Sequence, residues 1–129
     1  MKKNLIITSL IFIIPIVAYA LLSQNNTVSA QKVIDGQPQV IKFSSKLCLD
    51  CKKIKKGFDE LKPQYKDKIT IIEYDVQLSD NTTKEAIDKY DISLVPTIIF
   101  IDKTGEETKR TEGFVETKEL KQYFDELLK

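Results

Sequence analysis

Cys48 and Cys51 are the only two thiols in this 129-residue chain, and they stand three positions apart. Around them runs Phe43-Ser44-Ser45-Lys46-Leu47-Cys48-Leu49-Asp50-Cys51-Lys52-Lys53. A cysteine at the start of a helix meets unpaired backbone N–H groups and the positive end of the helix dipole, which favour a thiolate. A second cysteine one turn later can reach back to the first. This spacing, between a hydrophobic run and a helical pattern, suits dithiol–disulfide exchange. The absence of histidine excludes a Ser-His or Cys-His catalytic pair within one chain.

Other uses of the two thiols are weaker. Zinc wants four ligands, and two thiolates without histidine leave such a site half-built unless carboxylates or a second copy complete it. Two thiolates could carry copper(I). A purely structural Cys48–Cys51 staple in an inert binding module would be tight and strained. We therefore expect no metal and no cofactor.

The elements that must position the thiols are legible from the pattern of apolar residues. Gln39 to Ser44 reads as a buried strand, with Pro38 at its start because proline lacks the N–H that a strand interior needs. From Asp50 to Lys62, Cys51, Ile54, Phe58 and Leu61 fall at helical spacing, and Pro63 is expected to end the helix. Ile69 to Val76 reads as a second, β-branched strand. Thr82 with Glu85 has the form of a capping box for a short helix carrying Ala86, Ile87 and Tyr90. Thr97 to Ile101 is a third strand, and Asp102 to Gly105 turns the chain into a polar edge strand, Glu106 to Glu112. Thr117 is expected to cap a last helix with apolar positions Leu120, Tyr123, Phe124, Leu127 and Leu128. The order βαβα-ββα predicts an α/β fold. Its first two strands should be parallel with a right-handed crossover, in a mixed four-stranded sheet covered by helices on both faces. The cysteines then lie at the carboxyl end of the first strand, the usual place for a site in such sheets.

The first 30 residues carry only Lys2 and Lys3 as charges, followed by an apolar run from Leu5 to Leu22 broken by Thr8, Ser9 and Pro15. That is an export signal, or an anchor, since 18 helical residues reach about 27 Å. Cleavage sites are visible at Ala18-Tyr19-Ala20 and Val28-Ser29-Ala30. The expected organisation is a signal peptide or membrane anchor over 1–30, a linker over 31–37 and one domain over 38–129. The domain would be exported, to a periplasmic, thylakoid-lumenal or other extracytoplasmic space where disulfide chemistry takes place. Without Lys2 and Lys3 the chain has 18 basic and 19 acidic residues, which gives no reason to expect nucleic acid as a partner. Nothing calls for more than a monomer.

These residues resemble the thioredoxin superfamily. The match rests on CxxC after the first core strand, Val95-Pro96-Thr97 before the third, Gly105 in the hairpin and Gly113 before the last helix. The resemblance covers about residues 36–128. It implies a thioredoxin-like fold and a thiol–disulfide oxidoreductase, with Cys48 as nucleophile, Cys51 as resolving thiol and a redox-active Cys48–Cys51 disulfide. It also implies that Pro96 is cis and faces the CxxC turn, and that Val95, Pro96, Leu49 and Asp50 meet the substrate. Within the superfamily, Gly36-Gln37-Pro38, the Cys48-Leu49-Asp50-Cys51 turn and Gln64-Tyr65-Lys66-Asp67-Lys68 are similar to membrane-anchored proteins that keep partner cysteines reduced during cytochrome c assembly. The Gly113-Phe114 step is similar to the C-terminal domain of DsbD. The implied partners are protein disulfides, apocytochrome c among them, and a membrane electron donor of DsbD or CcdA type.

The departures are specific. Leu47 stands where the family usually has an aromatic residue, and Asp50 where proline is common. Only Gln31 to Asp35 remain to form the family's first strand and helix. The buried acid six residues before the first cysteine is Lys42, and the lysine expected opposite it is Glu73. A buried lysine needs a partner, so a charge-swapped Lys42–Glu73 pair is expected; the alternative is a Lys42 that snorkels to the surface. Asp50 disfavours a second negative charge at Cys48 and argues for a reductant, whereas Lys46, Lys52 and Lys53 argue for an oxidant. Carboxylate proximity and the resemblance together favour the reductant.

Overall fold

The computed structural model describes residues 36–129; the expected signal or anchor and most of the linker lie outside them. The elements follow the expected order: β1 (Gln39–Ser44), α1 (Leu49–Tyr65), β2 (Thr70–Asp75), α2 (Asn81–Lys89), β3 (Thr97–Ile101), β4 (Glu107–Glu112) and α3 (Thr117–Leu127). The sheet order is β2-β1-β3-β4. β1 and β2 are parallel, and β3 is antiparallel to both β1 and β4. The polar strand β4 lies at an edge, where charged side chains stay solvated and discourage pairing with another chain.

Period-two alternation divides the strand residues between the two faces. Val40, Ile71, Ile98 and Phe100 meet Ile54, Phe58 and Leu61 of α1 and Leu120 and Phe124 of α3. Ile41, Phe43, Ile99 and Ile101 meet Ala86 of α2, with Ile72, Tyr74 and Tyr90 at the margin. Lys42 and Glu73 are direct neighbours in the β1–β2 register.

Three local expectations are corrected. Pro63 does not end the first helix, which runs on to Tyr65 with Pro63 inside it. Proline costs one backbone hydrogen bond. The extra turn is held because Tyr65 is buried, packs its ring 4.8 Å from that of Phe124 and donates its hydroxyl proton to Asp125. The second helix is capped by Asp80, not by a Thr82–Glu85 box: its carboxylate accepts from the Thr83 N–H at 2.9 Å and the Thr83 hydroxyl at 2.7 Å. A carboxylate reaches both donors where one hydroxyl satisfies only one. The last helix is capped by Glu116, without a side-chain bond, and Thr117 is its first helical residue. The Thr117 side chain instead packs on Gly57 of α1, where an added Cβ would stand 2.1 Å from the threonine oxygen.

Candidate active site

β1 ends at Ser44, and a short turn carries the chain to Cys48, the N-cap of α1. The Cys48 backbone is extended, and its sulfur accepts the Cys51 N–H at 3.1 Å. The cap bond aims one of the helix's otherwise unpaired donors at the thiol, so this sulfur plays the part usually taken by a serine or aspartate oxygen. The thiol in turn donates to the Val95 carbonyl at 3.6 Å. The Val95–Pro96 peptide is cis, and the Pro96 carbonyl accepts from Gly113 N–H at 2.8 Å. Three separate parts of the sequence thus converge on one sulfur: the CxxC turn, the segment entering β3 and, behind that segment, the loop before α3.

The two thiols differ in surroundings. Cys48 is half-buried between Leu47 and Leu49, which are 79 % and 72 % exposed. Cys51 is only 5 % exposed. Burial pushes the Cys51 thiol up to about 11, helped by its hydrogen bond with Cys48 and opposed by Ser45 and the positive charge of Lys42. Cys51 therefore holds its proton near neutral pH. Both residues are free thiols, so the structure describes the dithiol form of the pair. Asp50, two residues after Cys48, pairs with Lys53 at 3.1 Å, one turn along the exposed face.

Lys42 lies beneath the site, on the face covered by α1, and is 3 % exposed. Its ammonium sits 2.5 Å from the Glu73 carboxylate and 4.3 Å from the centre of the Phe58 ring. It does not snorkel. Glu73 also binds Lys62, a partner that the sequence reading missed. Lys62 falls eleven residues after Cys51 on the stripe that carries Phe58 at seven, so helical spacing held the signal. Burial would raise the Glu73 carboxyl, but hydrogen bonds and charge from Lys42 and Lys62 outweigh it and hold the group below its usual range. Among the described residues, no group of three or more Cys, Asp or Glu is placed to hold a metal ion.

A half-buried thiol at the start of a helix, a buried thiol one turn away and a cis-proline segment across from them make up a CxxC dithiol site. The sequence model of the thioredoxin family matches residues 21–126, and the chain belongs to that family. It is a thiol–disulfide oxidoreductase. Among solved structures it is similar to thioredoxin O2 from Arabidopsis thaliana in the oxidized state. The two are 29 % identical, with a TM-score of 0.60 over 73 % of this chain and 77 % of that one. A structure described as a malarial protein shares the fold, at 22 % identity and a TM-score of 0.61, over 72 % of this chain and 99 % of that one.

Proposed function

We propose that this chain is an extracytoplasmic reductant of partner disulfides, of the type that serves cytochrome c maturation, recharged by a membrane electron donor. The Cys48 thiolate attacks one sulfur of the partner's disulfide; that S–S bond breaks and a mixed disulfide forms, while the leaving thiolate takes a proton. Cys51 then gives up its proton and attacks the Cys48 sulfur, releasing the partner's second thiol. Two electrons pass to the partner, and a Cys48–Cys51 disulfide remains.

The observation that carries the direction is the placement of charge around the dithiol. A strong oxidant is one whose reduced form is stabilised. Here Asp50 engages Lys53, and Cys51 keeps its proton up to about 11; both weigh against stabilisation of the reduced form, while Lys46 and Lys52 weigh for it. The export reading is supported by Lys2, Lys3 and the apolar run from Leu5 to Leu22. The test is the equilibrium potential of the Cys48–Cys51 pair in the full chain, read against a dithiothreitol or glutathione series. A midpoint below about −250 mV is expected; one above about −200 mV makes the chain an oxidant and overturns the reading.

A further inference from the structure

The two flanks of the reactive thiol carry opposite chemistry. Toward β3 stand Leu94, Val95 and Pro96, with Leu94 substantially exposed. Phe114, also exposed, lies 5.8 Å from the Lys53 ammonium of the same helix end. Toward β2 a cavity of about 350 Å³ opens against Cys51. Its walls carry Lys42, Lys46, Lys52 and Lys55 with two carboxylates, Glu73 and Asp75. The Glu73 carboxylate is occupied by Lys42 and Lys62, and Asp75 accepts from the Gln77 backbone N–H. Lys46 is 85 % exposed and only 3.9 Å from Asp75, the outer limit of an ion pair. Lys52 is exposed and has no ion-pair partner among the described residues. The cavity therefore presents surplus positive charge at the wall that holds the resolving thiol.

We propose that this surface selects partner segments whose cysteine has apolar residues on one side and acidic residues on the other. The apolar side would lie along Leu94 and Phe114, and the carboxylates would enter the cavity beside Lys46 and Lys52. The inference deepens the function proposed above by naming the class of polypeptide recognised. Charge complementarity in a cleft next to the reacting sulfur gives specificity and speeds encounter. An anionic lipid surface would also attract lysines, but concavity and a shared wall with Cys51 favour a peptide side chain reaching the site itself.

The test uses the full chain as dithiol and two peptide disulfides that differ at one flank of the cysteine, Glu-Glu against Lys-Lys, with leucines at the other flank; both flank orders are made. Reduction of neutral hydroxyethyl disulfide measures the intrinsic reactivity of the thiols. In the better order, the Glu peptide should react about fivefold faster than the Lys peptide. Salt near 1 M should erase that advantage by screening. Lys46→Glu with Lys52→Glu should invert it once each peptide rate is divided by the same variant's rate on hydroxyethyl disulfide, which removes the effect of the two charges on the thiols themselves. Equal rates on the two peptides overturn the proposal, as does a preference that survives the double substitution. Equal rates together with lysine-dependent binding to phosphatidylcholine vesicles containing phosphatidylglycerol assign the charge to lipid and overturn it too. The two readings fail separately: a low potential with equal peptide rates leaves the reductant standing, and an oxidising potential with Glu preference leaves the surface standing.

Discussion

On the side of the sheet covered by α1 and α3, the rings of Phe58, Tyr65 and Phe100 all lie within 5.8 Å of the Phe124 ring. On the side covered by α2, one fully buried ring, Phe43, stacks on the half-buried Tyr74 at 5.1 Å and leans on Tyr90 at 6.0 Å. The nine-residue α2 buries only Thr83 and Ala86. The thick core stands behind the helix that carries the thiols, and it gives way to charge, Lys42 and Glu73, where it comes under Cys51. The difference teaches how a small domain combines a rigid helix with a polar underside. The helix is held along its length by Ile54, Phe58, Leu61 and Tyr65, so its first turn can present a thiol without its own apolar anchor.

The contrast can be broken most directly by cutting each core. Phe124→Ala should cost about 3–5 kcal/mol, because several aromatic neighbours lose contact at once and the space cannot collapse. Tyr90→Ala on the thin side should cost about 1–2 kcal/mol, as its ring is only partly buried. Urea denaturation of both variants measures this, and equal costs would mean the two faces contribute alike.

The charged end of the thick core comes next. Glu73→Gln leaves two lysines, one of them buried, without their carboxylate, and should cost about 2–4 kcal/mol. That figure is reduced because Glu73 is itself about a third exposed. Lys42→Met, which keeps volume and removes the charge, should be neutral or stabilising. Because the folded Glu73 carboxyl lies below its ordinary value of 4.5, its contribution is complete above that pH and is lost as pH falls below it. Thermal unfolding scans from pH 7 to pH 3 should therefore show the stability gap between wild type and Glu73→Gln narrowing below about pH 4.5. A gap that stays constant would show that Glu73 does not stabilise through its charge.

A substitution of a single methyl group sharpens the comparison at the helix contact within the thick face. Gly57→Ala drives a methyl group into Thr117 and should cost about 1–3 kcal/mol by overpacking. Calorimetry that finds Gly57→Ala as stable as wild type would show that α1 and α3 separate freely at that point.

Much of the fold was legible because it is written in local patterns. Strand alternation in Val40-Ile41 and Ile98-Ile99-Phe100, and helical spacing from Cys51 to Leu61, depend only on which residues neighbour one another along the chain. The cap at Asp80 was misread because two plausible caps stood within three residues, and geometry chose the one that could serve two donors. The run of α1 beyond Pro63 was misread because local propensity opposed it while a distant ring, Phe124, supported it.

At the site the same division holds. The sequence by itself determined the two thiols and their helical spacing, and the family resemblance pointed to the Val95-Pro96 segment and to Glu73 opposite Lys42, with a snorkelling Lys42 left open until the structure paired them. Only the tertiary structure decided that Lys62 reaches across to Glu73 and that the lysines of α1 and of the turn after β1 line one cavity beside Cys51. Those outcomes depend on how a helix lies across a sheet, a packing property that draws on residues far apart in the chain.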